Sequence, residues 1–363
     1  MKCTFPHMGT MYVAVESLLE GLGHEAIVPP PITERTITLG QRGAPETACL
    51  PLKINLGNYI EAMENGADVI LMGGGVGPCR FGYYAEVQRE ILKDAGYNFE
   101  MMVLEPPKGQ LSLAWQRFKP LLTKVSVSEV IAAVRLAWAK AQIVDDIERM
   151  THQVRAFEIV RGSATAARSK AIARLRQTKN SRSLPPLVEE IETLFQQVPV
   201  DPERQPVVIG LVGEIYVMLE PFANRQLERL LGEMGVLVRR SSFLSDWLRG
   251  QFFSLLRFDV QKKARLLAGP YLPYFVGGHG LESVADSVSY ANNRVDGIIH
   301  VAPFTCMPEI VAQSILPRVS ADLDVPIMTL VVDEHSAEAG IITRLEAFTD
   351  MVKRRRAGRV RRT

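Results

Sequence analysis

Hydrophobic and polar positions along this chain switch between two periods. Short apolar runs of strand length stand at residues 1–5, 25–28, 68–72 and 99–104, and each ends at glycine, proline or a polar loop. Between them the pattern turns helical. Thr10 to Leu22 form one helix closed by Gly23. Leu56, Tyr59, Ile60 and Met63 recur at i, i+3, i+4, i+7, and from about Phe81 a third helix places Tyr84, Val87, Ile91 and Ala95 on one face. The segment from Ile32 to Ala48 is read as a polar loop that leads through Cys49 into the second of these helices. Strands alternating with helices at short intervals predict a parallel sheet with helices on both faces.

The pattern changes over residues 111–204. Strand candidates vanish and long amphipathic stretches replace them, from Val127 to Glu158 and through Lys170 to Arg176, where the basic residues read as a solvated face. Pro206 restarts the alternation. VLVRRS, GIIHVAP and PIMTLVV read as strands, VVIGLVGEIY as a strand running into a turn, and YFVGGHG as a short strand leading into a Gly-Gly-His-Gly loop. Helices are expected over 221–234, 243–268, 281–292, after Pro308, and over 341–353. The expected class is α/β: two Rossmann/flavodoxin-like parallel-sheet domains, 1–110 and 205–352, with a mainly helical region, 111–204, between them. Residues 353–363 form a basic tail.

Composition narrows the function. With 47% hydrophobic and 23% charged residues the chain is an ordinary globular protein, and no apolar run reaches the length of a membrane span. The start, MKCTFPHMGT, has no signal-peptide pattern, so a cytoplasmic protein is expected. Seven basic residues in 353–362 mask a mildly acidic body: without them the net charge falls from +2 to −5, which argues against nucleic-acid binding.

Candidate chemistry centres on ADVILMGGGVGPCRFGYY, a strand that ends in a glycine cluster with Cys79 just before a helix. In an open α/β sheet this is the crevice where ligands bind, and a helix N-terminus there is expected to favour the thiolate. Cys49 and Cys306 repeat the arrangement, each preceding a proline and a helix. The spacing matches no zinc ribbon or CxxC module. Three converging thiolates would suit zinc or an iron–sulfur cluster and leave one metal position open.

FPHMG, ETACLPLKINLGNYIEA, GGVGPCRFGYYAEVQREIL, GEIYVMLEPFAN, GGHG, PFTCMPEI and DEHSAEAGIITRLEAF together resemble the 2-hydroxyacyl-CoA dehydratase/benzoyl-CoA reductase superfamily. The closer resemblance is to its branch of CoA-enzyme activase-related proteins, and it covers both α/β halves in order. The resemblance implies a 4Fe–4S cluster held between two domains by Cys49, Cys79 and Cys306. It implies a partner too, an ATP-hydrolysing activase that donates one electron at very low potential. In the dehydratase members that electron reaches an acyl-CoA thioester, and a ketyl radical forms from which hydroxide is lost. This chain has no GxxxxGK[ST] loop and does not look like the activase. A dimer, with a second copy or a homologous subunit, is expected. The alternative from another class is a zinc- or nucleotide-binding accessory protein that does no redox chemistry.

Other candidates carry a functional and a structural reading side by side. Glu220 (with Glu214 before it) and His279 in GGHG are the candidate proton-transfer or ligand groups; a helix-cap carboxylate and a turn histidine are the structural readings. Arg80 would offset the charge of a thiolate-bound cluster or pair with a surface acid. Gly75 and Gly77 would permit close approach to a cofactor. Cys3, inside a strand, reads as inert burial, and Asp333, Glu334 and His335 as caps at a strand end.

Overall fold

Two four-stranded, all-parallel sheets carry the fold, and both have the same strand order. In the computed structural model, which describes residues 1–75, 77–104, 118–122, 125–255 and 261–360, the first sheet runs β2-β1-β3-β4 and the second β6-β5-β7-β8. The first uses β1 (Lys2–Thr4), β2 (Glu25–Ala26), β3 (Val69–Gly73) and β4 (Glu100–Leu104). The second uses β5 (Val207–Gly213), β6 (Val236–Arg240), β7 (Gly297–Pro303) and β8 (Ile327–Val332). This is the expected two-sheet α/β architecture. In each sheet the chain reverses its direction of growth between two central strands, β1 and β3 or β5 and β7. That reversal opens a crevice at their carboxyl ends.

Fourteen α-helices surround the sheets among the described residues. In the first half they are α1 (Tyr12–Gly21), α2 (Glu34–Gly43), α3 (Leu50–Glu64) and α4 (Tyr84–Asp94). The middle contributes α5 (Val127–Arg155), α6 (Ser163–Gln177) and α7 (Leu184–Gln196). The second half adds α8 (Ile215–Leu219), α9 (Leu227–Glu233), α10 (Leu244–Leu255), α11 (Lys262–Ala268), α12 (Gly280–Asn292), α13 (Met307–Asp322) and α14 (Glu338–Val360). Ser126 opens α5 with a capping box to Glu129. Val144, Ile147, Ala171, Leu175, Ile191 and Phe195 then form a helical core of their own.

The two sheets are joined by packing as well as by chain. Leu50 and Ile54 of α3 and Ile37 of α2 are buried in the same core as Ile209, Leu211, Val301 and Leu330 of the second sheet. Helix α3 also packs on its own sheet through Leu56, Tyr59, Ile70 and Met72. With neighbours on both sides it is buried continuously from Leu50 to Ala62. Each fully buried Leu or Ile stabilises by roughly 1.5–3 kcal/mol, so α3 is a principal anchor of the two halves. Its one buried cation, Lys53, pairs with Glu334 of the second half and donates to the Glu46 carbonyl at 3.0 Å.

Four local expectations differ from what is found. The polar segment after Ile32 contains helix α2, started by a Thr33/Thr36 capping box and held by buried Thr36, Ile37 and Gly40. The short strand expected within YFVGGHG is not formed: Tyr274 to His279 are loop and turn, and Gly280 opens α12. The helix expected over 221–234 is α9 preceded by a turn, with Arg225 and Gln226 at positive φ. Helix α14 carries the basic run onward to Val360, and residues 361–363 lie outside the described set. No helix among the described residues is long and apolar enough to cross a membrane.

Candidate functional site: a thiol-lined crevice between the halves

The three cysteines occupy equivalent places. Cys49 is the N-cap of α3, Cys79 the N-cap of the 3-10 turn (Arg80–Tyr83) that runs into α4, and Cys306 the N-cap of α13. Cys79 follows β3 and Cys306 follows β7, the matching strands of the two sheets, so each stands at its sheet's reversal point.

Direct bonds hold the loops together. Arg80 donates to the Thr47 carbonyl at 3.0 Å and, through its other terminal nitrogen, to the Thr305 carbonyl. Thr305, β-branched yet held at φ +63°, returns its hydroxyl to the same Thr47 carbonyl at 3.1 Å. A β-branched residue in that region is strained by roughly 1–3 kcal/mol and persists only where the surroundings hold it. The GGHG loop closes the third side. A Cβ on Gly277 would stand 2.7 Å from the Cys79 nitrogen, and one on Gly278 would stand 3.0 Å from Pro308 and 3.7 Å from Cys79 Sγ. Only glycine lets that loop rest against both cysteine segments.

Burial dominates the electrostatics. It pushes the Cys49 thiol up to about 11, against the lowering effect of a hydrogen bond with Tyr84, and raises Cys79 as well. Cys306 is raised far above the ordinary thiol range by burial first, then by the charges of Glu214 and Glu309. Burial thus raises all three thiols, against the thiolate that a helix N-terminus was expected to favour. Arg80 is the cation that opposes this at Cys49 and Cys79.

Of the two glutamates after β5, it is Glu214 whose charge is felt at all three thiols. Its carboxylate caps α8 by accepting from Tyr216 N and Val217 N, both at 3.1 Å, and burial raises its pKa. Glu220, the glutamate favoured from sequence, points elsewhere: it accepts from Gly9 N at 2.7 Å and Phe222 N at 3.0 Å and lies 3.0 Å from His7 Nδ1. His279, the N-cap of α12, lies near Glu214 and Asp286, two carboxyls whose pKa values burial raises. Gly75 backs onto Phe81, and Gly77, at φ +121°, lies under Phe275. Cys3 is fully buried in β1, as its sequence setting suggested.

Beside Cys306 a groove of about 820 Å³ opens between α13 and edge strand β8, lined by Phe304, Met307, Ile310 and Val331, with Arg80 and Thr305 at its thiol end. Beneath it, Glu309 is wholly buried. Its Oε2 lies 2.7 Å from His300 Nε2 and accepts from Ser283 Oγ at 2.8 Å, while Oε1 has no partner among the described residues. Sequence reasoning missed Glu309 and His300, although the acid three residues after Cys306 was a visible signal.

Among the described residues, the group of three potential metal-ligand side chains lying within 4.8 Å of one another is Glu148, His152 and Glu228, and the three thiols are not drawn together to that spacing. Arg168 donates to Glu148 at 2.6 Å and Arg240 to Glu228 at 2.8 Å. These cations already neutralise the carboxylates, and the cluster is an ion-pair network joining α5, α6, α9 and β6.

A scan against models of known protein families finds no match to this chain, and a search of curated proteins finds no relative.

Proposed function

We propose that the chain is an iron–sulfur protein of the 2-hydroxyacyl-CoA dehydratase type, with Cys49, Cys79 and Cys306 holding a 4Fe–4S cluster. It accepts one low-potential electron from an ATP-hydrolysing activase in the cytoplasm and passes it to an acyl-CoA thioester. It works as a dimer, with a second copy or a homologous subunit. The observation that carries this reading is that the loops bearing the N-cap residues Cys49, Cys79 and Cys306, from distant segments, are tied together by the bonds of Arg80 and Thr305 to the Thr47 and Thr305 carbonyls, while Cys3 is buried in a strand.

The donor set fits the group. Three free thiols supply soft ligands of the kind a cluster takes. One tetrahedral zinc, with Zn–S bonds of about 2.3 Å, would draw its sulfurs closer together than these stand. A cubane places its cysteines on different irons and tolerates wider separation. Against the nucleotide alternative, Gly75 backs onto Phe81 and Gly77 onto Phe275. When bound, a cluster supplies one-electron chemistry at low potential. The three cysteines would hold it and Arg80 would offset its negative charge, against Glu214 and Glu309, whose charges oppose thiolates at the same site. The apolar groove beside Cys306 offers room for an acyl chain.

The test is anaerobic reconstitution with iron and sulfide, followed by reduction with titanium(III) citrate under electron paramagnetic resonance. A one-electron, half-integer-spin signal that comes and goes with reduction supports the reading. A protein that stays colourless and silent, or retains only zinc, overturns it.

A further inference from the structure

Tyr84, the first residue of α4, is 5% exposed, and its hydroxyl meets the sulfur of Cys49. Resting on the cluster reading above, we propose that Tyr84 is a positioning residue that donates a hydrogen bond to the Cys49 sulfur and so raises the reduction potential of the centre.

The contact is built by its neighbours. Phe81 packs edge-on against the Tyr84 ring, with centroids 5.5 Å apart and planes at 64°. Phe81 in turn occupies the space that a side chain at residue 75 would need: a Cβ there would stand 2.7 Å from Phe81 Cδ1. Gly75, Phe81 and Tyr84 therefore form a relay of shape that ends on Cys49. Cys49 belongs to another segment and is itself only 7% exposed.

The chemistry follows from which group holds the proton. A phenol carries its proton at neutral pH and a metal-bound thiolate has none, so in this contact the Tyr84 hydroxyl is the donor. A thiolate that accepts a hydrogen bond gives less electron density to its metal. The reduced, more negative state is then stabilised and the potential rises. In a dry site the bond is stronger than it would be in water. Packing alone would be served equally by phenylalanine. The hydroxyl needs a partner when buried, and the partner it has is a ligand sulfur.

The experiment compares the reconstituted full chain with Tyr84→Phe and, as a control, Tyr83→Phe, whose ring is 73% exposed. Iron and sulfide content are measured alongside the midpoint potential. Tyr84→Phe is expected to load as the parent does while its reduction equilibrium shifts about tenfold toward the oxidised form, or 59 mV for one electron. Tyr83→Phe leaves the potential in place. Full loading with an unshifted potential overturns the proposal and leaves the cluster reading standing. A parent chain that takes up no iron and sulfide overturns both. Where Tyr84→Phe fails to load, 3-fluorotyrosine at residue 84 keeps the shape and strengthens the donor. The potential then moves up, and no movement overturns the proposal.

Discussion

Thr305 gives its hydroxyl to the carbonyl of Thr47 at 3.1 Å across 258 residues of chain. Each residue lies within two positions of a candidate ligand, so this bond, together with those of Arg80 to both carbonyls, ties the Cys49 and Cys306 loops to each other. Thr305→Val keeps the side-chain shape and removes the donor. It is expected to cost about 0.5–1.5 kcal/mol and to speed amide exchange in residues 45–49 and 304–306. Unchanged exchange in both loops would show that the bond is incidental.

Lys53 and Glu334 are the charged counterpart of that bond, with side chains 4% and 10% exposed. Lys53→Met leaves a buried carboxylate without its cation and is expected to destabilise by about 3–5 kcal/mol in urea unfolding. Lys53→Met with Glu334→Leu is expected to recover most of the loss, since two apolar groups need no desolvation of charge. Equal destabilisation by the single and double variants would contradict this account.

Thiol reactivity follows from burial. Cys79 is the least buried of the four cysteines, and in metal-free native protein it is alkylated first. Cys49 and Cys3 have pKa values raised from 9.0 to about 11, so at neutral pH they are almost entirely protonated. Their alkylation rates are expected to rise with pH toward 11, as thiolate appears, for as long as the fold persists. Mass spectrometry of pulse-labelled protein reads the order directly, and early labelling of Cys49 at neutral pH would contradict it.

Acid acts on the Glu148–His152–Glu228 network. Burial alone would raise both carboxyls, but Arg168 and Arg240 outweigh it and hold both below the ordinary value of 4.5. Groups depressed in the folded state contribute stability that is present above 4.5 and is lost as pH falls through their folded values. Unfolding followed from pH 6 downward should therefore show a loss that sets in below about 4.5 and that shrinks in Glu148→Gln/Glu228→Gln. An undiminished loss in that variant would move its source elsewhere.

The two-sheet fold was legible because parallel strands buried on both faces are continuous apolar runs, as in Val69–Met72 and Val207–Val212. Helix α2 was not legible. Its buried Thr36 and Gly40 look polar or neutral in sequence and acquire their role by packing on α3. The cysteine positions at helix N-caps were readable from the flanking prolines. Their protonation was not, because a dipole can be read from local sequence, whereas desolvation depends on chain brought in from far away. The different placements of Glu214 and Glu220 were hidden for a related reason. Both follow β5, and only the turn into α8 decides that Glu214 faces the thiols while Glu220 turns back to His7 and Gly9.

The most direct test is iron, zinc and acid-labile sulfide per chain on anaerobically purified protein, measured for the parent, Cys79→Ser and Cys3→Ser. About four irons with matching sulfide are expected in the parent and in Cys3→Ser, and loss of most of both in Cys79→Ser with the fold intact. One zinc without sulfide, or equal iron loss in the two variants, would contradict the cluster reading.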